Sequence, residues 1–436
     1  MLRSALAALL LTAAVPAAAQ PPAAAVTYIH AGSLLDQPGK PPRGASTIVV
    51  RDGKVAEVRD GFAQPEGNAT LIDLKDKFVL PGLIDAHVHL LGIGGDPLRA
   101  RLTALNTEPA DDMMYGAGNA RATLLAGFTT VRELGSEPRG IRALRDAVER
   151  GDVDGPTIVN AGTAISVTGG HGDPLNGLAE PYAHAVAATV ENTCDGPDDC
   201  RRATRRQIGL GAQVIKITAT GGVLSNVSGG LGRAFTPEEM RAIVDTAHGL
   251  GRKVAAHAHA ADGVAGALEA GVDSIEHGSF LDDRAIALLK KTGAYLVPTE
   301  IAPVAALAQA RAGALPPATI PKAEAAAAAM VDSHRRAYRA GVRFAFGTDT
   351  GVSKHGRNAE EFALLVRQIG MTPAVAIRTA TVDAADLLGR ADLGAIAPGK
   401  VADIIAVTGS PLEDVTRLER VDFVMHRGRV AKPVGR

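Results

Sequence analysis

The sequence predicts a (β/α)8 barrel that carries a small β-sandwich domain, and three observations lead to this prediction. Between residue 81 and about residue 389, buried-strand patterns alternate with helical patterns eight times. Short strands and turns fill the regions on both sides instead. The length of 436 residues suits a large barrel with one appended domain. We therefore divide the chain into a signal peptide (1–19), a first β-sandwich segment (20–80), the barrel (81–390) and a second β-sandwich segment (391–436).

The first 19 residues predict a secretory signal peptide. Arg3 supplies an early positive charge, an apolar run covers Ala5 to Ala14, and Ala17-Ala18-Ala19 forms a small-residue cleavage site. A membrane anchor is the alternative, but the apolar run is shorter than the ~20 residues that span a bilayer. We expect an exported protein that is periplasmic or secreted.

The two cysteines fit an oxidising compartment. Cys194 and Cys200 flank the turn-rich stretch Asp-Gly-Pro-Asp-Asp, which could bring the two thiols within bonding distance. A disulfide is the predicted state in such a compartment, with two free thiols as the alternative.

The charge balance argues against two classes of partner. A net charge of -1 and a pI of about 6.9 leave no basic surface for nucleic acid or for an anionic membrane. We therefore expect neither nucleic acid nor a membrane among the partners of this chain.

The two flanking segments both read as short strands. The N-terminal segment predicts strands at 26–30, 46–50, 54–58 and 71–74, with Asp52-Gly53 as a hairpin turn. The C-terminal segment predicts strands at 403–407 and 421–425, followed by a turn into 429–430. We expect the two segments to combine into one β-sandwich, with two separate β-ribbons as the alternative.

The middle region predicts the eight strands of the barrel. Their expected positions are Leu83–His89, Phe128–Glu133, Thr157–Ile165, Val214–Thr220, Lys253–His259, Ser274–His277, Ala294–Pro298 and Arg343–Thr348. Helical stretches follow these strands, for example Asp282–Lys291 and Glu360–Ile369. In such a barrel, functional residues lie at the C-terminal ends of the strands.

Residues of the type that binds metal fall at those strand ends. His87 and His89 are two positions apart at the end of the first strand, so both side chains point to one face. The other residues of the set are Lys216 in the fourth strand, His257 and His259 in the fifth, His277 in the sixth and Asp349 after the eighth. Any one of them alone would be better explained as a hydrogen-bonded core residue. The set together predicts a metal site.

Lys216 needs a separate explanation, because a lysine that faces a barrel interior carries a large desolvation cost. A buried structural ion pair is one explanation. We prefer a lysine whose lowered pKa lets it react with carbon dioxide, which gives a carbamate able to bridge two metal ions. His248 and His334, on predicted helices, are interpreted as structural residues.

This pattern resembles the amidohydrolase superfamily in its binuclear form with a carboxylated lysine. The resemblance extends from Pro81–His89 to Ala397–Asp403 and includes the flanking β segments. Within the superfamily, Thr168–Gly172 and Gly347–Gly351, together with His355-Gly356, are similar to the imidazolonepropionase-related group. That group contains Xaa-Pro dipeptidases or carboxypeptidases and ochratoxin-hydrolysing amidohydrolases.

The resemblance implies two divalent metal ions per chain, with Lys216 N6-carboxylated. One ion would be held by His87, His89, Lys216 and Asp349, and the other by Lys216, His257 and His277. Mixed nitrogen and oxygen ligands favour zinc over magnesium. The resemblance also implies a homo-oligomer, an octamer in our expectation.

The expected reaction is hydrolysis of an amide bond to a C-terminal amino acid, in a dipeptide, an N-acyl amino acid or ochratoxin A. A hydroxide bridging the metals would attack, and Asp349 would act as general base and then acid. Candidates for substrate binding are His171, His259, His355 and Arg233. Loop hydrogen bonding for the two loop histidines and a solvated surface position for Arg233 are the alternatives. A cyclic amide or lactone hydrolase and a non-catalytic metal-binding barrel are the other functions considered.

Overall fold

The computed structural model describes residues 26–435 apart from 97, 98, 100–106, 177, 189, 224–229 and 314–319. The predicted signal peptide and its cleavage site lie outside the described residues. None of the helices in the described ranges has both the length and the apolar character to cross a membrane.

Strands from the two ends of the chain form one seven-stranded sheet. The N-terminal strands are β1 (Val26–Leu34), β2 (Ser46–Arg51), β3 (Lys54–Asp60) and β4 (Thr70–Pro81). The C-terminal strands are β13 (Ile404–Val407), β14 (Val421–His426) and β15 (Arg429–Lys432). The sheet order is β15-β14-β13-β4-β1-β2-β3, so the antiparallel pair of β13 and β4 joins the two ends.

This β domain has a hydrophobic core of its own, to which both ends of the chain contribute. Ile29, Ile48 and Leu74 pack in one buried cluster with Ile404 and Phe423. The predicted Asp52-Gly53 turn joins β2 to β3, and both residues adopt the positive φ angles, 51° and 73°, that a tight hairpin requires. The two flanking segments therefore combine into one β domain, whose strands lie in a single seven-stranded sheet.

Eight parallel strands form the barrel in chain order. They are β5 (Leu83–Val88), β6 (Phe128–Glu133), β7 (Thr157–Asn160), β8 (Val214–Thr218), β9 (Lys253–Ala260), β10 (Ser274–Phe280), β11 (Tyr295–Val297) and β12 (Arg343–Phe344). Continuous ladders link β5-β6-β7 and β8 to β12. A parallel bridge between Ile165 and Ile217 joins the two groups, and the Ala86 amide donates to the Phe346 carbonyl to close the ring. The predicted fold class is confirmed.

Helices cover the outside of the barrel. They are α1 (Pro109–Leu125), α2 (Pro138–Arg150), α3 (Glu180–Ala187), α4 (Pro197–Gly209), α5 (Pro237–Gly249), α6 (Ala261–Ala270), α7 (Asp283–Thr292), α8 (Ile301–Arg311), α9 (Ile320–Arg339), α10 (Glu360–Leu364), α11 (Pro373–Arg378) and α12 (Ala384–Leu388). Wider π-helical turns at Leu365–Ile369 and Thr379–Asp383 follow α10 and α11. A disulfide joins Cys194 to Cys200 at the start of α4, as predicted.

A buried arginine ties three barrel strands together. Arg132 on β6 donates through Nε to the Ala86 carbonyl on β5 at 2.6 Å. Its other nitrogens donate to Ser274 Oγ at 2.9 Å and to Glu276 Oε1 at 2.8 Å, both on β10. Burial opposes the ionisation of Glu276, but Arg132 and the neighbouring His87 outweigh it and lower the pKa of Glu276 to about 2. The pair therefore stays charged inside the barrel.

Arg132→Leu should destabilise the protein strongly, because the substitution leaves the Glu276 carboxylate buried without its cation. Breaking such a pair costs about 3–5 kcal/mol in the free energy of unfolding, measured by chemical denaturation. Adding Glu276→Gln should recover part of the loss, because no charge then remains buried. Arg150→Leu, which removes an exposed pair with Asp152, is the control and should change stability by less than about 0.5 kcal/mol. Equal effects of Arg132→Leu and the control would contradict this prediction.

Candidate active site

The C-terminal ends of β5 and β12 bring two histidines and a carboxylate together. His87 Nε2 lies 3.4 Å and His89 Nε2 lies 3.1 Å from Asp349 Oδ1. One ligand atom from each of the three residues lies within 4.8 Å of the others, a spacing that could hold a metal ion. The structure therefore assembles this part of the predicted set.

The remaining predicted ligands lie beside this group. Lys216 Nζ is 3.4 Å from His87 Nε2. The ring centroid of His277 is 5.2 Å from that of His87 and 4.7 Å from that of His257. All six residues predicted to bind metal therefore converge, although they come from five different strands.

Contacts behind the rings orient them. His89 Nδ1 is hydrogen-bonded to the Gly135 carbonyl at 3.0 Å, and His277 Nδ1 to Thr299 Oγ1 at 2.8 Å. His87 Nδ1 lies 2.9 Å from the carboxylate oxygen Oε2 of Glu276. With Nδ1 engaged in this way, each Nε2 remains to face a metal ion. Outer partners of this kind fix the tautomer and orientation of histidine ligands.

Asp85 accepts hydrogen bonds from the backbone of two segments of the site. Its carboxylate accepts from the His87 amide at 3.1 Å, from the Thr348 amide at 3.1 Å and from the side chains of Thr348 and Asn358. Burial nevertheless raises the pKa of Asp85 to about 6. The segment that ends in His87 and the segment that leads to Asp349 are thus joined through one side chain.

Three residues at successive strand ends adopt left-handed backbone conformations. The φ angles are 73° at His277, 53° at Thr299 and 55° at Asp349. Such conformations are unfavourable for residues other than glycine and occur at functional sites, where the surrounding structure maintains them. They turn the chain at the rim, and all three residues belong to the site.

The electrostatics of the site suit a cation. Burial, reinforced by Lys216, lowers the pKa of His87 to about 4, and burial with the neighbouring histidines lowers the pKa of His257 well below its ordinary value. Burial opposes ionisation of Asp349, but His87 and His89 hold the pKa of its carboxyl group well below the ordinary value. Burial opposes the charged form of His89, but its contact with Asp349 outweighs burial and raises the pKa of His89. An ionised carboxylate among imidazoles is a donor set that suits a divalent metal ion, which would bind the imidazoles in their neutral form.

A cavity of about 550 Å³ opens above these residues. The candidate ligands form its floor, and apolar side chains form much of its wall. The wall includes Leu91, Leu134, Ala302, Ala306, Ala326 and Met330. A polar reacting centre below an apolar wall is the usual arrangement of a small-molecule site.

The four candidates for substrate binding occupy different places. His171 and His259 line the cavity; the His171 ring lies 4.4 Å from that of His257, and His259 Nδ1 lies 2.8 Å from Ser279 Oγ. His355 lies behind the wall, because its Nε2 donates to the His89 carbonyl at 3.0 Å. Arg233 is exposed; its backbone forms an antiparallel β-bridge with Thr220, and its side chain lies against α6. The structure thus places His171 and His259 at the cavity, and gives His355 and Arg233 contacts elsewhere.

Several residues that shape the site were not found from the sequence. Arg132, Glu276 and Thr299 each contact a strand or ring that is distant in the sequence. The available signal was a charged residue inside an apolar strand, as in Val131-Arg132-Glu133 and Ile275-Glu276-His277. Such a signal indicates a buried pair but does not identify the partner.

Comparison with known proteins agrees with this geometry. The amidohydrolase family profile matches residues 78–431. The chain belongs to the amidohydrolase family. It is therefore a hydrolase that acts on carbon–nitrogen bonds, as the sequence predicts.

Individual relatives in this family are similar over nearly the whole chain. Ochratoxinase from Aspergillus niger is 34% identical over 421 residues, which cover 92% of this chain and 85% of the relative. The crystal structure of a Xaa-Pro dipeptidase with methionine in its active site is 39% identical, with a TM-score of 0.86, and the match covers 93% and 99% of the two chains. A prolidase in complex with N-methylphosphonate-L-proline is 31% identical, with a TM-score of 0.84 and coverage of 94% and 100%.

His89→Ala should weaken metal binding, because it removes one of the three candidate ligands in the group of His87, His89 and Asp349. Loss of an outer hydrogen-bond partner lowers metal affinity by about 10–100-fold. We expect the loss of His89 itself to lower the affinity for Zn²⁺ further. Competition with a chromogenic chelator measures this affinity. His184→Ala, at an exposed position on α3, should bind Zn²⁺ like the parent protein. Unchanged affinity in His89→Ala would exclude this group as a metal site.

Proposed function

We propose that this chain is a metal-dependent amidohydrolase that cleaves the amide bond to a C-terminal amino acid. Its substrate would be a dipeptide or an N-acyl amino acid, with ochratoxin A among the candidates. The observation that carries the proposal is the convergence of six ligand-type side chains on the floor of a cavity with a mostly apolar wall. The wall offers contact to apolar groups on either side of a scissile bond.

The relatives support the same class of substrate. One is named ochratoxinase, and another is a Xaa-Pro dipeptidase whose active site holds methionine. A third is a prolidase in complex with a phosphonate derivative of proline. The Xaa-Pro dipeptidase structure thus holds an amino acid, and the prolidase structure holds an amino-acid derivative.

In this proposal the ligands divide between two divalent metal ions, which we assign as zinc. His87, His89 and Asp349 would hold one ion, His257 and His277 the other, and N6-carboxylated Lys216 would bridge them. When bound, the ions supply a hydroxide nucleophile at neutral pH and polarise the scissile carbonyl. His257 Nε2 lies 3.4 Å from the Gly221 carbonyl, so Nδ1 would be the atom that His257 offers to the ion.

Lys216 and Asp349 have separate tasks in the proposed mechanism. Burial lowers the pKa of Lys216 to about 8, so a larger fraction of this side chain is the neutral amine than for an exposed lysine. That amine attacks carbon dioxide, forms the new N–C bond and releases one proton to give the carbamate. Asp349 is ionised, so it can accept a proton from the nucleophile and pass it to the leaving nitrogen. His171 and His259 lie where they can contact the substrate or steady the developing oxyanion.

Lys216→Ala and Asp349→Ala should abolish amino-acid release, because one removes the proposed bridge and the other removes a ligand and the proton carrier. The assay measures product from dipeptides, N-acyl amino acids and ochratoxin A, together with metal content by elemental analysis. The parent should hold about two zinc ions per chain.

His184→Ala is the control in this assay and should retain parental activity. Activity that is indifferent to Lys216 would contradict the bridged mechanism. Hydrolysis confined to cyclic amides or lactones would contradict the proposed substrate class. Metal binding without any turnover would favour a non-catalytic barrel.

Ala306→Phe should impair turnover of substrates with bulky apolar groups, because Ala306 is buried in the cavity wall on α8. We expect kcat/KM to fall by about tenfold or more, the effect of a mis-sized group in an apolar pocket. Smaller substrates, such as glycine-containing dipeptides, should lose less. Val304→Phe is the matched control, because Val304 lies on the same helix but is 48% exposed. An equal loss of kcat/KM for large and small substrates would show that Ala306 does not determine which substrate sizes the cavity accepts.

We also propose that the protein is exported and assembles as a homo-oligomer. The N-terminal sequence supports export, and so does the Cys194–Cys200 disulfide, since such bonds persist in oxidising compartments. The proposed octamer rests on the resemblance to the family described above.

A further inference from the structure

A buried acid–histidine pair lies directly behind the candidate ligand His277. His334 Nε2 is 2.5 Å from the His277 carbonyl oxygen, and His334 Nδ1 is 2.6 Å from Glu300 Oε1. The side chains of His334 and Glu300 are 0% and 1% exposed. Neither residue of the pair is among those that line the cavity.

The chemistry of this pair is defined by its partners. The His277 carbonyl can only accept, so His334 Nε2 donates to it, while Nδ1 on the opposite side of the ring faces Glu300 Oε1. A buried polar group that loses its partner costs free energy, so both contacts hold the ring in place. His334 is thus a clamp that holds the main chain of His277 to the side chain of Glu300.

His277 needs such a clamp because its backbone departs from the strand. Its φ angle is 73°, and the pairing of β10 with β9 shifts register between His277 and Phe280. The strand ladder therefore does not determine where the His277 carbonyl points. Thr299 holds the other end of the residue through His277 Nδ1 and is itself left-handed, which is rare for a β-branched residue.

The clamp also connects the ligand to the cavity wall. His334 lies on α9, and Glu300 immediately precedes α8; both helices contribute wall residues. Glu361 joins α10 to this unit, because its carboxyl oxygens accept from the Glu300 amide at 2.9 Å and from the Ile301 amide at 2.7 Å. Burial, together with the nearby Glu300, raises the pKa of Glu361 well above its ordinary value. The wall and His277 are therefore held as one body.

We propose that His334 and Glu300 are positioning residues that, with Thr299, set the orientation of His277 toward its metal ion. This inference rests on the proposed function and extends it to residues that do not touch substrate or metal. Its consequence is that changes in α8 and α9 reach the metal site through His277.

The test compares His334→Gln and Thr299→Val with the parent. His334→Gln removes the ring that bridges Glu300 and the His277 carbonyl, and Thr299→Val removes only the hydroxyl at nearly constant shape. Titration with Co²⁺ followed by visible absorption reports the affinity and geometry of the metal site without any turnover. We expect the Co²⁺ affinity of the site proposed for His257 and His277 to fall by about 10–100-fold and kcat to fall with it, while KM changes little.

The matched control is His248→Gln. His248 lies on α5, away from the cavity, and its Nε2 is 2.8 Å from Asp273 Oδ2. It should bind Co²⁺ and turn over substrate like the parent. If His334→Gln does not fold, Thr299→Val decides the question. Variants that lose thermal stability but keep parental Co²⁺ binding, spectrum and kcat would overturn the inference and leave only a structural pair. A parent that binds no Co²⁺ would instead overturn the proposed function, and this inference with it.

Discussion

The buried contact between Arg132 and Glu276 is the interaction on which the geometry of the site depends. Arg132 ties β6 to β5 and β10, and the second oxygen of Glu276 reaches His87. One carboxylate therefore serves both the barrel and the first candidate ligand. Because a buried charge is tolerated only with its partner, neither residue can be lost without disturbing the other. The stability of the barrel and the orientation of His87 are coupled at this point.

Other candidate ligands are also oriented by a contact from a distant part of the chain, although the contacting groups differ. Each orienting contact comes from an element other than the one that carries the ligand: Gly135 for His89, and Thr299 with His334 for His277. Main-chain turns at the strand ends add a second constraint, because left-handed residues point their side chains in directions that a regular strand does not allow. Ligands held in this way need little rearrangement when a metal ion binds.

The floor and the wall of the cavity have different physical requirements. The floor consists of charged and polar groups whose relative positions are fixed by the strands. The wall on α8 and α9 is built mainly from small apolar residues, such as Ala302, Ala306 and Ala326, whose size can vary without disturbing the floor. This separation suits a family in which one hydrolytic centre acts on different substrates. The contact of His334 with the His277 carbonyl is important for the same reason, because it joins α9 of the wall to a residue of the floor.

The sequence by itself determined the barrel, the β domain joined from both ends of the chain, and the six candidate metal ligands. This was possible because parallel strands in a barrel all end at the same rim, and residues two apart on a strand share a face. His87, His257 and Asp349 could therefore be placed together before any contact was known. The same reasoning could not assign the loop residues: His355 meets the His89 carbonyl and Arg233 lies against α6, because loop conformation is not periodic.

Only the tertiary structure decided what lies behind the ligands and around the substrate. The helical pattern around His334 identified a structural residue but not its partner, since His277 is 57 positions away in the sequence. Arg132 and Glu276 are 144 positions apart, and α8 and α9 form the wall only after both pack over the strand ends. Local periodicity encodes which face of an element is buried. It does not encode which distant side chain fills the space opposite, and that choice is made by packing.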